Sequence, residues 1–191
     1  VAWLVAQPDV TAPIASATSA AQVEELVAEW RAAATLEDRT ALAAALWDSD
    51  IHEARVAAAK LLTQARIRPD AAAWDLIVSW VPDFDAWAIA DHACEPGNRR
   101  LLALPSRLDT VEGWTTHPNL WTRRAALVMT LPWARMPNPK AADLEARERI
   151  LGWAAAYVAD RDWFMQKGWP GGCGIFRSMT RTGRGPFWQA R

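Results

Sequence analysis

Two short stretches set an aromatic ring and a charged group three or four residues apart: Trp87 with Asp91, and Trp121 with Arg124, which is preceded by Arg123. At that spacing in a helix, ring and charge share one face. The electron-rich face of an indole attracts cationic groups, and a guanidinium fork matches the oxygens of a phosphate. A face built from such groups is suited to holding a nucleotide.

The elements that must carry these pairs are helices. Ala, Leu, Trp, Arg and Glu dominate, Tyr and Phe are sparse, and no stretch alternates at period two, which favours helix along nearly the whole chain. Helical periodicity runs over about residues 21–34, 37–47, 50–66, 70–80, 84–94, 106–116, 119–131, 142–158 and from 161 onward. Pro69, Pro82, Pro96-Gly97, Pro105, Pro118, Pro132 and Pro137-Asn138-Pro139 punctuate the spaces between them. Thirteen tryptophans are more than one site can use. Trp30, Trp47, Trp74, Trp114 and Trp153 sit on apolar faces and are expected in helix packing. Trp80, Trp87, Trp121 and Trp163 stand beside polar or charged signals.

The helices also repeat. Aligning the segments that start at Ile51, Leu120 and Trp163 brings Arg55, Arg124 and Lys167 into one column, and a unit centred on Trp87 fits the longer gap. A repeat of about 35 to 43 residues suits stacked helix pairs that bury a continuous core.

At 191 residues one domain is expected, and a net charge of -1 excludes a globally basic chain without excluding local basic patches. Arg99-Arg100, Arg123-Arg124 and the run from Arg177 to Arg184 are such concentrations; Arg99-Arg100 taken alone reads as a solvated face. Cys94 and Cys173 make neither a disulfide framework nor a zinc set, and the three histidines add no ligand spacing, so no metal and no cofactor is expected. The opening residues lack a basic flank and are interrupted by Pro8, and nowhere do 18 apolar residues run together. The expected setting is the bacterial cytoplasm, beside the nucleoid when DNA is bound, with no membrane and a monomeric chain.

The WxxxD motif (Trp87 to Asp91), the WxRR segment (Trp121 to Arg124), the stretch from Trp47 to Leu62 before them and Trp163-Phe164-Met165-Gln166-Lys167 after them follow one another in a familiar order and spacing. Together, over about residues 20–167, they resemble the bacterial DNA alkylation repair family, the AlkD-like glycosylases built from HEAT-like helical repeats. The resemblance implies an all-α HEAT-like solenoid with a concave groove, acting on double-stranded DNA that carries alkylated bases. It implies hydrolysis of the N-glycosidic bond of cationic purines such as 3-methyladenine and 7-methylguanine, in base excision repair. Cleavage builds positive charge on the sugar. Asp91 matches the family's acidic position beside that charge, and Trp87 with Trp121 would line the cleft. Arg124 matches the phosphate-contacting arginine, Arg123 is an extra cation, and Arg55 and Lys167 would extend the track along the groove. An open groove implies recognition of the lesion with the duplex held against the surface, without a deep base pocket.

This divides the chain into a poorly matching segment over 1–20, a repeat domain over 21–167, and an irregular tail over 168–191. That tail holds six glycines and two prolines, a poor composition for a helix. Its back-translation, read from the third base of each codon, allows an amphipathic helix-forming peptide, so it reads as a frame-shifted ending. A second function class fits the same pattern: a helical-repeat module that binds nucleic acid or protein and cleaves nothing. The WxxxD pair separates the two, since a pure binder has no need of a carboxylate near phosphates.

Overall fold

The computed structural model describes residues 11–15 and 19–157. Every regular element among them is helical, with no strand, as the composition requires. The chain divides between Arg100 and Leu101 into two compact units.

The first unit holds α1 (Thr11–Ala15), α2 (Ala20–Ala33), α3 (Leu36–Asp48), α4 (His52–Leu62), α5 (Ala71–Trp80) and most of α6 (Trp87–Ala103). Ser19 and Thr35 start α2 and α3 by accepting the Gln22 and Asp38 backbone N–H groups, which have no partner inside the helix. The middle of the unit is α4, which packs against α1, α2 and α3. Its Ala54, Ala57, Ala58, Ala59, Leu61 and Leu62 are all buried, an apolar girth wide enough to be covered from several sides. Between α3 and α4 the backbone turns at Asp50, whose φ of 58° lies in the left-handed region that Asp tolerates better than most residues.

An aromatic stack joins α3 to α5. Trp47 lies 4.4 Å from Trp80, nearly coplanar at 9°, and Phe84 tilts against it at 6.0 Å. Such pairs contribute roughly 0.5–1.5 kcal/mol beyond their buried area. The loop that follows α4 is fastened from α6: Arg100, with 0% exposure, donates from Nη2 to the carbonyls of Gln64 at 2.7 Å and Ala65 at 3.1 Å. Its Nε lies 3.5 Å from the Asp70 carboxylate.

In the second unit α7 (Leu108–Trp114) packs on α8 (Leu120–Val128), and α9 (Leu131–Arg135) packs on α10 (Ala141–Ala156). Buried Arg147 of α10 donates to the Trp133 carbonyl at 2.7 Å and 3.0 Å and to that of Met136 at 3.2 Å, satisfying acceptors where α9 ends. Arg149 pairs with Glu112 and with Asp109, the latter at 2.7 Å, and the Trp153 indole donates to Glu112 at 2.7 Å. The Tyr157 hydroxyl donates to the Thr115 carbonyl, holding the end of α10 to the end of α7.

Helix positions follow the periodicity closely, with informative exceptions. The element expected at 84–94 runs on to Ala103, straight through Pro96-Gly97. Both residues are buried, and Arg100 and Leu101 beyond them are fully buried, so packing of the last turns outweighs the local cost of proline. The helix expected at 106–116 is shorter, with a 3₁₀ turn over Pro105–Arg107 preceding it. The one expected at 119–131 breaks after Val128 and resumes as α9. The segment from 161 onward and the tail at 168–191 lie outside the described residues.

Candidate functional site

The WxxxD pair opens α6. The helix is held in the first unit by Ile89, Ala90, Ala93 and Cys94, all buried. With that face fixed inward, Trp87 is left 55% exposed in the first turn, and Asp91, one turn on, is half-buried. Ring and carboxylate thus lie on the same side of α6, as the four-residue spacing requires.

His92 stands beside Asp91 and is half-buried. Burial, with Lys60 and His52 adding repulsion, holds its pKa below the ordinary histidine value against the opposite pull of Glu95 and Asp91. At neutral pH the imidazole is therefore uncharged and adds no positive charge beside Asp91. The chain contains no sequence motif that singles out His92; only its adjacency to Asp91 hinted at it.

The WxRR segment opens α8. Asn119 caps this helix by accepting the Trp121 backbone N–H at 2.8 Å, which fixes the half-buried indole at the start of the helix. Arg123 bends back over the preceding turn, donating to the carbonyls of His117 at 2.8 Å and Pro118 at 2.9 Å. Arg124 is buried, with 6% exposure.

Arg55, on α4, is drawn into the framework. It pairs with Asp50 at 3.0 Å, donates from Nε to the Trp47 carbonyl at 3.3 Å, and lies 5.1 Å over the Trp47 ring. Only 13% of its side chain is exposed. Trp80, which stands beside a polar signal in the sequence, is 2% exposed and belongs to the Trp47 stack. Lys167 and Trp163 lie outside the described residues. The geometry therefore supplies an exposed ring with a carboxylate in the first unit, and a half-buried ring with a buried guanidinium in the second.

A family model described as DNA alkylation repair enzyme matches residues 16–170, well over half of the chain. The chain belongs to the DNA alkylation repair enzyme family. Comparison with curated proteins and with solved structures gives no match. The all-helical architecture is in keeping with the helical-repeat solenoid of the DNA alkylation repair enzyme family, and membership makes this a DNA repair protein with DNA as its substrate. The matched span includes Arg55, Trp87, Asp91, Trp121, Arg123, Arg124 and Lys167. Among the described residues no helix is long and apolar enough to cross a membrane.

Proposed function

We propose that the chain is an alkylpurine DNA glycosylase that hydrolyses the N-glycosidic bond of cationic lesions such as 3-methyladenine and 7-methylguanine in duplex DNA. The observation that carries this reading is the first turn of α6: an indole left 55% exposed beside a half-buried carboxylate, inside the span matched by a DNA alkylation repair family.

An alkylated purine already bears positive charge, so it departs without a general acid. What the reaction needs is stabilisation of the positive charge that grows on the sugar. Asp91 supplies negative charge for that purpose and can orient the attacking water, and neutral His92 does not cancel it. Trp87 offers its ring face to the cationic base or sugar, worth about 0.5–2 kcal/mol depending on desolvation. Trp121 is assigned a similar face more loosely, since it is less exposed.

Arg124 is assigned the phosphate contact. It is 6% exposed and already partnered within the fold, so a phosphate oxygen would share its guanidinium fork with those partners. Arg123, whose guanidinium is engaged with two backbone carbonyls, contributes less. Arg55 is assigned chiefly to holding α3 against α4, and Lys167 keeps the role in the phosphate track that the family resemblance gives it.

The test is release of methylated bases from alkylated duplex DNA by the purified chain and by an Asp91→Asn variant. Release by the parent that is lost in the variant supports the reading. Salt-sensitive duplex binding without any release by the parent makes the chain a non-catalytic binding module instead.

A further inference from the structure

We infer that the loop over residues 63–70, together with Arg99, forms a second phosphate-binding surface in the first unit, which grips the DNA backbone away from the lesion. The inference rests on the reading of the chain as a DNA-acting protein; its geometry is independent of the WxxxD and WxRR residues.

The loop is built to display cations. Arg66 and Arg68 are exposed, and Ile67 between them is buried, so the backbone alternates out, in, out. Both ends are fastened by one side chain, since Arg100 bonds the Gln64 and Ala65 carbonyls at the start and approaches Asp70 at the finish. Arg39 of α3 adds a bond to the Gln64 side chain. Arg99, next to the Arg100 bolt on α6, is exposed.

The three guanidiniums here are not engaged by direct partners. Among the described residues the side chains of Arg66, Arg68 and Arg99 make no hydrogen bond and no ion pair. Asp70, the acid at the end of the loop, lies against Arg100, and the exposed Glu95, one turn before Arg99 on α6, forms no ion pair with it.

Three exposed guanidiniums held on a fastened loop and helix are poorly explained by stability, because exposed unpaired cations contribute little to it. They match a row of phosphate oxygens, which need fork-shaped donors and no base-specific geometry. An overall charge of -1 sharpens the point, since the basic character of this face stands out from a nearly neutral chain.

The experiment measures the affinity of the full chain for an undamaged duplex as a function of salt. Replacing Arg66, Arg68 and Arg99 together by Ala should flatten the plot of log affinity against log salt by about two to three units, near 0.9 for each lost phosphate contact. Replacement by Lys should restore most of the slope. Because these side chains are exposed and unpaired, the Ala variant should melt with the parent; if it does not, the Arg66→Ala and Arg68→Ala single variants carry the test at about 0.9 unit each. A parental slope in the Ala variants overturns the inference. It leaves the glycosylase reading standing wherever Asp91-dependent base release persists. Binding that the substitutions weaken equally at every salt concentration also overturns it, because phosphate contacts must release counterions.

Discussion

The starts of α6 and α8 carry nearly the same sequence signal, a tryptophan followed within four residues by a charge, yet the fold treats them oppositely. At α6 the ring is exposed and the carboxylate is half-buried; at α8 the ring is half-buried and the guanidinium is almost fully buried. The α8 start is also tied down, by the Asn119 cap and by the bonds from Arg123 to the preceding turn. Spacing tells which side chains share a helix face, but which of them reaches solvent depends on where the rest of the helix is buried. In α6 that is decided by Ile89, Ala90, Ala93 and Cys94, and in α8 by the run from Ala125 to Val128.

If the contrast is functional, substitutions at the two starts should differ in kind. Asp91→Asn should have the largest effect, slowing release of methylated bases by roughly a hundredfold or more while duplex binding and melting stay near parental. Release at the parental rate would make Asp91 a structural residue. Trp87→Ala should slow release by about 2- to 30-fold, the kinetic equivalent of one cation–π contact. It should barely move the melting temperature, because more than half of the ring is already in water. A large loss of stability would show that the exposed ring supports the fold.

At α8 the order reverses. Arg124→Ala should lower the melting temperature measurably, because a buried side chain with established contacts is removed. It should also flatten the salt dependence of duplex binding by about 0.9 unit. A stability change with an unaltered slope would confine Arg124 to the core.

The smallest expected effect lies within the second unit and concerns pH. Hydrogen bonds from Arg149, and then from Trp153, hold the Glu112 carboxyl below the usual carboxylate range. With the folded-state pKa below the unfolded one, the stabilisation is present above the ordinary carboxylate value and disappears as pH falls through the depressed one. Melting curves should therefore show the parent losing stability more steeply below about pH 4 than Glu112→Gln does. Parallel curves would mean that this partly exposed cluster adds nothing measurable.

Much of the fold was legible because the helices are strongly periodic and punctuated. The boundaries of α2, α3, α5 and α10 fall within a residue or two of the pattern. What the pattern could not carry was the outcome of competition between local preference and packing. Pro96-Gly97 looked like a stop, and the helix ran through it because Arg100 and Leu101 are needed inside. Arg99-Arg100 looked like one solvated face, and the fold splits it into an exposed cation and a buried one. Arg55 shares a column with Arg124 in the sequence, but its reach to Asp50 depends on a left-handed turn that no periodicity encodes. Of the candidate site, spacing gave the shared face of Trp87 and Asp91, whereas the Asn119 cap of α8 emerged with the fold and the influence of His92 required three-dimensional neighbours from α4.

The Arg100 bolt has a consequence for proteases. Arg66 is an exposed arginine in a loop, the kind of place where trypsin cuts first, whereas the Arg68–Pro69 bond resists trypsin because proline follows it. Cleavage needs a stretch of extended, detached backbone, and here detachment would pull a fully buried guanidinium off two carbonyls and lift Ile67 out of the core. Opening on that scale resembles partial unfolding of the first unit more than the fraying of a loop. The chain should therefore survive brief digestion at the Arg66–Ile67 bond, and Arg100→Ala, which also removes a fully buried side chain, should make that bond fragile.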